Sequence, residues 1–274
     1  MILGAFYEMD KERIDVLLTN NQIVDSREKA KKYIMAGLVY VDEERIDKPG
    51  TKVPVDSNII IKGNPIPYVS RGGLKLEKAL NTFSLQIKDK VALDIGASTG
   101  GFTDCMLQNG VKKVYAIDVG YGQLDWKLRN DSRVIVMDRT NIRYLEKDNI
   151  DELAGLVSID VSFISLKLVL PKVKELTTDD VDIIALIKPQ FEAGRDKVGK
   201  KGVVRDIKVH KGVIREIYDF CLDIGLNFVA LTYSPVKGAE GNREYLAHII
   251  KDRNNEFDID KQIENVVNES HDEL

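Results

Sequence analysis

An α/β fold with a doubly wound, mostly parallel sheet, preceded by a small α+β unit, is what this sequence predicts. Three observations carry that expectation. From residue 70 onward, short apolar runs alternate with helical stretches, the pattern of a sheet covered on both faces. One of those runs, Val91–Ile95, feeds a glycine-rich loop that opens a helix at Gly101, as the first strand of a nucleotide-binding sheet does. Before residue 63 the pattern differs, with two short helices followed by very short strand-like runs. The expected division is an N-terminal unit over 1–63, a linker over 64–69, the sheet domain over 70–252 and an acidic C-terminal tail over 253–274.

In the N-terminal unit, residues 11–18 have helical spacing, with Ile14, Leu17 and Leu18 on one face. A second helix runs over 27–36, with Asp25 or Ser26 as its N-cap and Gly37 closing it. Residues 38–42 and the isoleucines 59–61 read as strands around a charged turn. Asn64-Pro-Ile-Pro67 reads as a short stiff linker, because proline disfavours helix at the residue before it.

In the second domain the expected strands are Val91–Ile95, 114–118, Val134–Met137, 156–160, 183–187, 228–233 and Tyr245–Ile250. Helices are expected over Gly101–Gln108, 163–170 and 209–224. There are no internal repeats and no low-complexity tract.

The loop itself, Asp94-Ile-Gly-Ala-Ser-Thr-Gly-Gly-Phe-Thr-Asp104, departs from the dinucleotide spacing, since its glycines are Gly96, Gly100 and Gly101. With the carboxylate of Asp94 in the strand end, it is the pattern for S-adenosylmethionine, which has no pyrophosphate and carries a cationic amino acid end. Asp94, Gly96, Ala97, Ser98, Thr99, Gly100, Gly101 and Phe102 are therefore the expected cofactor-binding segment. Asp118, ending the next strand, is placed to accept both ribose hydroxyls of the adenosine, and Asp138, one strand further, to approach the adenine amino group. Read alone, a glycine-rich turn or a strand-end acid is commonplace; the agreement of several such signals gives them weight.

Four more ionisable residues stand out. Lys75 follows Ser70-Arg-Gly-Gly-Leu74, Asp160 ends an apolar strand, Lys188 ends the most apolar strand, and Glu244 precedes the last strand. Strand ends of a doubly wound sheet face one crevice. A lysine after four apolar positions and before Pro189 is poorly explained as a surface charge, although a snorkelling lysine is the bland alternative. The two cysteines, Cys105 and Cys221, have no metal-binding spacing and read as small buried hydrophobes, and no metal is expected.

Of the 274 residues, 43% are hydrophobic and 31% charged, as in an ordinary globular protein. The net charge of −4 argues against nucleic acid only on average. Acid concentrates over 252–273, whereas basic residues cluster over 27–32, 71–78 and 195–215, and local patches decide phosphate binding. No apolar run approaches a membrane span, and the first ten residues do not read as a signal peptide. The closing His271-Asp-Glu-Leu274 spells an ER-retention address that would go unread without an export signal. The expected compartment is the cytoplasm.

Arg13-Ile-Asp15, Ser26-Arg27, Ala30, Ile34, Gly37, Val39, Val41, Lys48-Pro49 and Val53 together resemble the S-four (αL-type) RNA-binding domain. That resemblance implies an RNA-facing surface, with Arg13, Ser26, Arg27, Lys31 and Lys32 in it and Arg71 added from the next domain. Over nearly the whole chain, the motifs Tyr68-Val-Ser-Arg-Gly-Gly-Leu-Lys75, Asp94 to Asp104, Asp138-Arg-Thr-Asn-Ile-Arg143, Asp160-Val-Ser-Phe-Ile-Ser165, Leu186-Ile-Lys-Pro-Gln-Phe-Glu192 and Gly238 to Glu244 resemble the TlyA (hemolysin A-like) group of rRNA 2′-O-methyltransferases, with an FtsJ-like catalytic domain. The resemblance implies S-adenosylmethionine as cofactor, ribosomal RNA or ribosomal subunits as partner, a cytidine 2′-hydroxyl as target, and a catalytic tetrad of Lys75, Asp160, Lys188 and Glu244.

Methyl transfer to a ribose hydroxyl is an in-line displacement in which position contributes much of the rate. On this reading Lys188 is the candidate base, Lys75 the neighbouring cation, and Asp160 and Glu244 orient the amines and the hydroxyl; which lysine is neutral at rest stays open. The charged loop over 191–204, with Arg195, Lys197, Lys200 and Lys201, is placed to close over RNA or else is a solvated loop. Rival readings are an NAD-dependent oxidoreductase with an RNA module, a non-catalytic ribosome-binding factor and, last, a membrane-lytic protein as the hemolysin name suggests.

Overall fold

The computed structural model describes residues 10–63, 66–251 and 257–274, and the chain divides into two compact units at Pro67/Tyr68. In the first unit, β1 (Lys11–Arg13) leads directly into α1 (Ile14–Asn20), followed by α2 (Arg27–Met35), β2 (Val39–Val41), β3 (Glu44–Ile46), β4 (Lys52–Pro54) and β5 (Ile59–Ile61). β1 pairs antiparallel with β4, and β2 lies between β3 and β5. The single helix expected over 11–18 is therefore a strand and a helix. Lys11 and Glu12 are drawn into pairing with Pro54 and Val53, and helical geometry begins only at Ile14. Ile14, Leu17, Leu18, Val24, Ala30, Ile34, Val39, Val41 and Val53 close a small core. The α2 cap is Ser26, whose hydroxyl accepts from Lys29 N at 3.2 Å; Gly37, just past the helix, sits at φ +69°.

The second unit holds α3 (Gly72–Thr82), β6 (Val91–Ile95), α4 (Gly101–Gln108), β7 (Lys113–Ile117), α5 (Trp126–Arg129), β8 (Val134–Met137), β9 (Ala154–Ile159), α6 (Leu170–Glu175), β10 (Thr177–Ile187), α7 (Pro189–Glu192), α8 (Ile207–Asp223), β11 (Asn227–Tyr233), β12 (Tyr245–Ile250) and α9 (Ile259–Glu273). Seven strands form one sheet in the order β11-β12-β10-β9-β6-β7-β8. Neighbours from β10 to β8 are parallel, and β12 is antiparallel to both β10 and β11.

Alternation along the strands sorts side chains between two cores. Val91, Leu93, Ile95, Val157, Ile159, Ile183, Ala185, Ile187, Tyr245 and Ala247 pack toward α6, α8 and α9. Ala92, Ala116, Leu156, Ile184, Leu186 and Leu246 face α3 and α4. The same parity assigns Asp94, Asp118, Ser158, Lys188 and Glu244 to the α3 side, so strand period alone sends the ionisable residues toward the helix that carries Lys75.

Three further expectations need correction. Residues 253–274 are not a tail beyond the domain: Asp252 to Glu256 lie outside the described residues, but α9 buries Ile259, Ile263, Val266, Val267 and Ser270 along one stripe and turns its acids outward. The helix expected over 163–170 is interrupted, because Phe163 has φ +63° and Ser165 caps a short 3₁₀ turn at Leu166–Leu168 before α6, with Pro171 near its start. Tyr68 and Val69 are not linker; Tyr68 Oη donates to Glu77 Oε1 at 2.9 Å and Val69 N to Asp104 Oδ2 at 2.9 Å. Of the expected linker, Asn64 and Pro65 lie outside the described residues. Helix α3 was not anticipated, since its Gly72-Gly73 opening is poor in helix propensity.

Asp15 is buried in the first unit beneath two guanidinium groups: Arg13 Nε lies 2.9 Å from Oδ1 and Arg27 Nη2 2.8 Å from Oδ2. The Arg13 hydrogen bond, helped by Arg27, holds its carboxyl at about 2, against the opposing effect of burial. A depressed carboxyl contributes stability above its unfolded value of about 4 and loses it as pH falls toward its folded value. Hydrogen exchange of the α1 amides, corrected for intrinsic rates, is expected to show protection falling between about pH 4 and pH 2, and Asp15→Asn to remove that acid limb.

Candidate active site at the glycine loop

The loop after β6 turns sharply because Gly96 (φ +83°) sits against the end of β9: a Cβ there would meet the Asp160 carbonyl oxygen at 2.5 Å. Gly101, the first residue of α4, is pressed as closely against α3, and a Cβ would lie 2.3 Å from Ser70 Oγ and 2.8 Å from Gly73 N. These two contacts bring the loop, the Asp160 strand end and the start of α3 together. Between them lies a cavity of about 250 Å³ lined by Ser70, Arg71, Gly72, Lys75, Gly96, Ala97, Ser98, Thr99, Gly101, Phe102 and Asp160.

Lys75, Asp160, Lys188 and Glu244 form one continuous chain of charge contacts. Lys188 Nζ lies 2.5 Å from Asp160 Oδ1; Asp160 Oδ2 lies 3.7 Å from Lys75 Nζ; Lys75 Nζ donates to Glu244 Oε2 at 2.6 Å. The Lys188–Asp160 contact is a close charge pair without hydrogen-bond alignment, for Asp160 Oδ1 has no hydrogen-bond partner among the described residues. Lys75, Lys188 and Glu244 are each less than a tenth exposed, so the pairs stand largely out of water and depend on one another. Asp160 bridges the two amines, one carboxylate oxygen facing each.

The partners of this chain were not foreseen in the sequence. Ser162 Oγ accepts from Lys188 Nζ at 3.0 Å, and Gln190 Nε2 lies 3.4 Å from Glu244 Oε1. Glu192 accepts from Ser165 Oγ at 2.6 Å and Leu166 N at 2.8 Å, tying the segment after Asp160 to the segment after Lys188; burial pushes its carboxyl up.

Asp94 is wholly buried and does not line the cavity. Its oxygens accept from Thr103 Oγ1 at 2.5 Å and Ser158 Oγ at 2.9 Å, so it ties the first turn of α4 to β9 and supports the loop from beneath. Burial pushes its carboxyl up to about 6, the two hydroxyls opposing the shift. Asp118 lies beside the loop at the end of β7, with Oδ2 accepting from Ser98 N at 2.8 Å and Oδ1 from Gly120 N at 2.7 Å. Asp138 is engaged by Arg129 Nη2 at 2.8 Å, which holds its carboxyl below the ordinary range. Gly100, with φ +93°, precedes α4, whose first-turn N–H groups face the loop.

In the first unit, the expected RNA-facing residues also have structural partners. Ser26 caps α2, and Arg13 and Arg27 share Asp15 while remaining about half exposed. Lys31 lies 4.0 Å from Glu28, and Lys32 is exposed in the last turn of α2. Arg71 is exposed at the cavity rim. Both cysteines are buried, their thiols pushed up to about 12 by desolvation.

FtsJ-like methyltransferases match residues 68–251, the sheet and everything that forms the cavity, and the S4 domain matches residues 12–59. The chain belongs to the FtsJ-like methyltransferase family. A Bacillus subtilis protein with the provisional name rRNA methyltransferase YqxC is 55% identical over 87% of this chain and 85% of its own length. The 16S/23S rRNA (cytidine-2′-O)-methyltransferase TlyA of Mycobacterium tuberculosis is 40% identical over 86% of this chain and 88% of its own. A solved structure from Streptococcus thermophilus, provisionally named a hemolysin, is 48% identical, covers 97% of both chains and superposes with a TM-score of 0.77. Among the described residues of this methyltransferase, no helix is long and apolar enough to cross a membrane.

A raised carboxyl disfavours the fold once it must ionise. Stability of the second unit is expected to fall as pH rises from about 4 to about 6 through Asp94, and Asp94→Asn to flatten that limb, checked by thermal unfolding across the range. Gly96→Ala is expected to destabilise by about 1–3 kcal/mol, read by urea denaturation, because the new Cβ would force β6 and β9 apart.

Proposed function

We propose that this chain transfers the methyl group of S-adenosylmethionine to a ribose 2′-hydroxyl of ribosomal RNA, with cytidine as the target nucleoside. The observation that carries the reading is the Lys188–Asp160–Lys75–Glu244 chain at the rim of the glycine-loop cavity. The names of the relatives support the substrate class. A substrate of this kind puts the chain with ribosomes in the cytoplasm, with the S4 unit supplying part of the RNA contact through Arg13, Arg27, Lys31 and Lys32.

The cavity suits the methyl donor in its donor set. The first-turn N–H groups of α4 and the loop amides favour a carboxylate, Asp118 offers acceptors for a ribose diol, and Asp160 stands at the reacting end. When bound, S-adenosylmethionine supplies an electrophilic methyl group on a sulfonium. A 2′-hydroxyl placed beside Asp160, within reach of both amines, would take the methyl group as the carbon–sulfur bond breaks and the thioether product leaves, its proton passing to Lys188 Nζ in the neutral form. Asp160 holds both amines, and Glu244 fixes Lys75, whose charge stabilises the developing oxyanion. Asp138 contributes through Arg129 and the edge of the adenosine site, and Asp94 through the loop it supports.

A non-catalytic RNA-binding factor would have little use for four mutually paired ionisable groups beside a cavity, most of them nearly out of water. Ribosomal subunits isolated without this activity, incubated with labelled S-adenosylmethionine and the chain, are expected to gain label at a ribose 2′-oxygen mapped by mass spectrometry. Lys188→Ala is expected to reduce turnover by about 10²–10⁴-fold with methyl-donor affinity near normal by calorimetry. Label on a base, or none, would overturn the reading.

A further inference from the structure

We propose that α9 is a positioning element of the reaction centre, holding Lys75 and Glu244 against each other from the side of the sheet edge. What that pair does in the reaction rests on the methyltransferase reading above; the geometry does not. The region matched by FtsJ-like methyltransferases ends at residue 251, before this helix begins.

The last turn of α9 is connected to the pair through neighbours of each partner. On the Glu244 side, the residues flanking it project the other way and grip the helix. Arg243 Nε donates to the Ser270 carbonyl at 2.9 Å and Nη2 to that of His271 at 3.4 Å. These carbonyls belong to the final turn of α9, at the negative end of the helix dipole, where a cation is favoured. Tyr245 Oη lies 3.1 Å from Ser270 Oγ and 2.8 Å from His210 Nδ1, all three residues being buried. Glu244 is thus the middle residue of a segment clamped on each side.

On the Lys75 side the connection runs through Lys78, one turn further along α3. Its ammonium lies 3.3 Å from the centre of the Tyr233 ring, and the Tyr233 hydroxyl donates to Glu273 in the same last turn of α9. Tyr233 is also paired with Tyr245 across β11 and β12. A shift of this turn would therefore move α3 and the Glu244 strand end together, and the 2.6 Å contact between Lys75 and Glu244 spans the two. The buried stripe of Ile259, Ile263, Val266 and Val267 accounts for why the helix packs on the sheet. It does not account for a polar last turn aimed at residues 243, 245 and 233.

The test uses the full chain and four variants: Arg243→Ala, Arg243→Lys, Glu273→Gln and Tyr233→Phe. Thermal unfolding and circular dichroism select those that keep the fold. Acylation of Lys75 by a water-soluble succinimidyl ester, followed by mass spectrometry, reads the pair without any catalysis. Labelling is expected to rise about fivefold or more in Arg243→Ala and to return toward wild type in Arg243→Lys, since Lys75 is 7% exposed while paired. With ribosomal subunits, kcat is expected to fall about tenfold with KM for the methyl donor unchanged, because the loss is one of positioning. In a Glu244→Gln background the same four variants are expected to cost nothing further, whereas a merely structural role would multiply through. Unchanged Lys75 labelling in folded variants, or raised labelling with unchanged kcat, overturns the proposal. If the wild-type chain transfers no methyl group, the functional reading fails by itself and the labelling still decides for or against the clamp.

Discussion

The second unit is organised around the need to keep four charged side chains paired with three of them almost out of water. An ammonium or carboxylate in that position is tolerated only in contact with its opposite. Asp160 meets that need for both lysines, at 2.5 Å and 3.7 Å, and Glu244 completes it for Lys75. Each of these residues comes from a different element, so the pairing can exist only if β9, β10, α3 and the start of β12 converge. Gly96 and Gly101 permit that convergence, one by letting the loop touch the Asp160 backbone and the other by letting α4 touch α3.

Around this centre a set of supports works by hydrogen bonds rather than by contact with a ligand. Asp94 binds Thr103 and Ser158, Glu192 binds Ser165 and Leu166, and Asp104 binds Val69. Each joins the end of one strand or helix to a neighbour. Placement to a fraction of an ångström is what the proposed in-line methyl transfer demands. The S4 unit shows the same economy on a smaller scale. There Asp15 organises Arg13 and Arg27 from beneath while leaving about half of each guanidinium exposed.

In two places where sequence reasoning erred, a long-range contact had overruled a local pattern. Residues 11–13 have helical spacing but are captured by β4 as a strand. The acidic C-terminal segment reads by composition as a tail, yet its apolar positions at 259, 263, 266 and 267 form a stripe that α8 and β11 bury. Asp94 reads as a ligand contact because it sits in the loop motif, whereas strand alternation turns it inward to two hydroxyls. In that last case the period was in the sequence and decides the direction: from Ala92 the count of two reaches Asp94 on the α3 side.

Sequence by itself determined the alternation of strands and helices, the glycine loop with its strand-end acids, and the parity that sends Asp94, Lys188 and Glu244 to one face, because these are properties of local periodicity and backbone freedom. It could not determine that Asp160 would stand between two lysines, that Arg129 would occupy Asp138, or that the last turn of α9 would reach both Arg243 and Tyr233. Those pairings join residues as much as 85 positions apart, and only the packing of helices on the sheet brings such groups together.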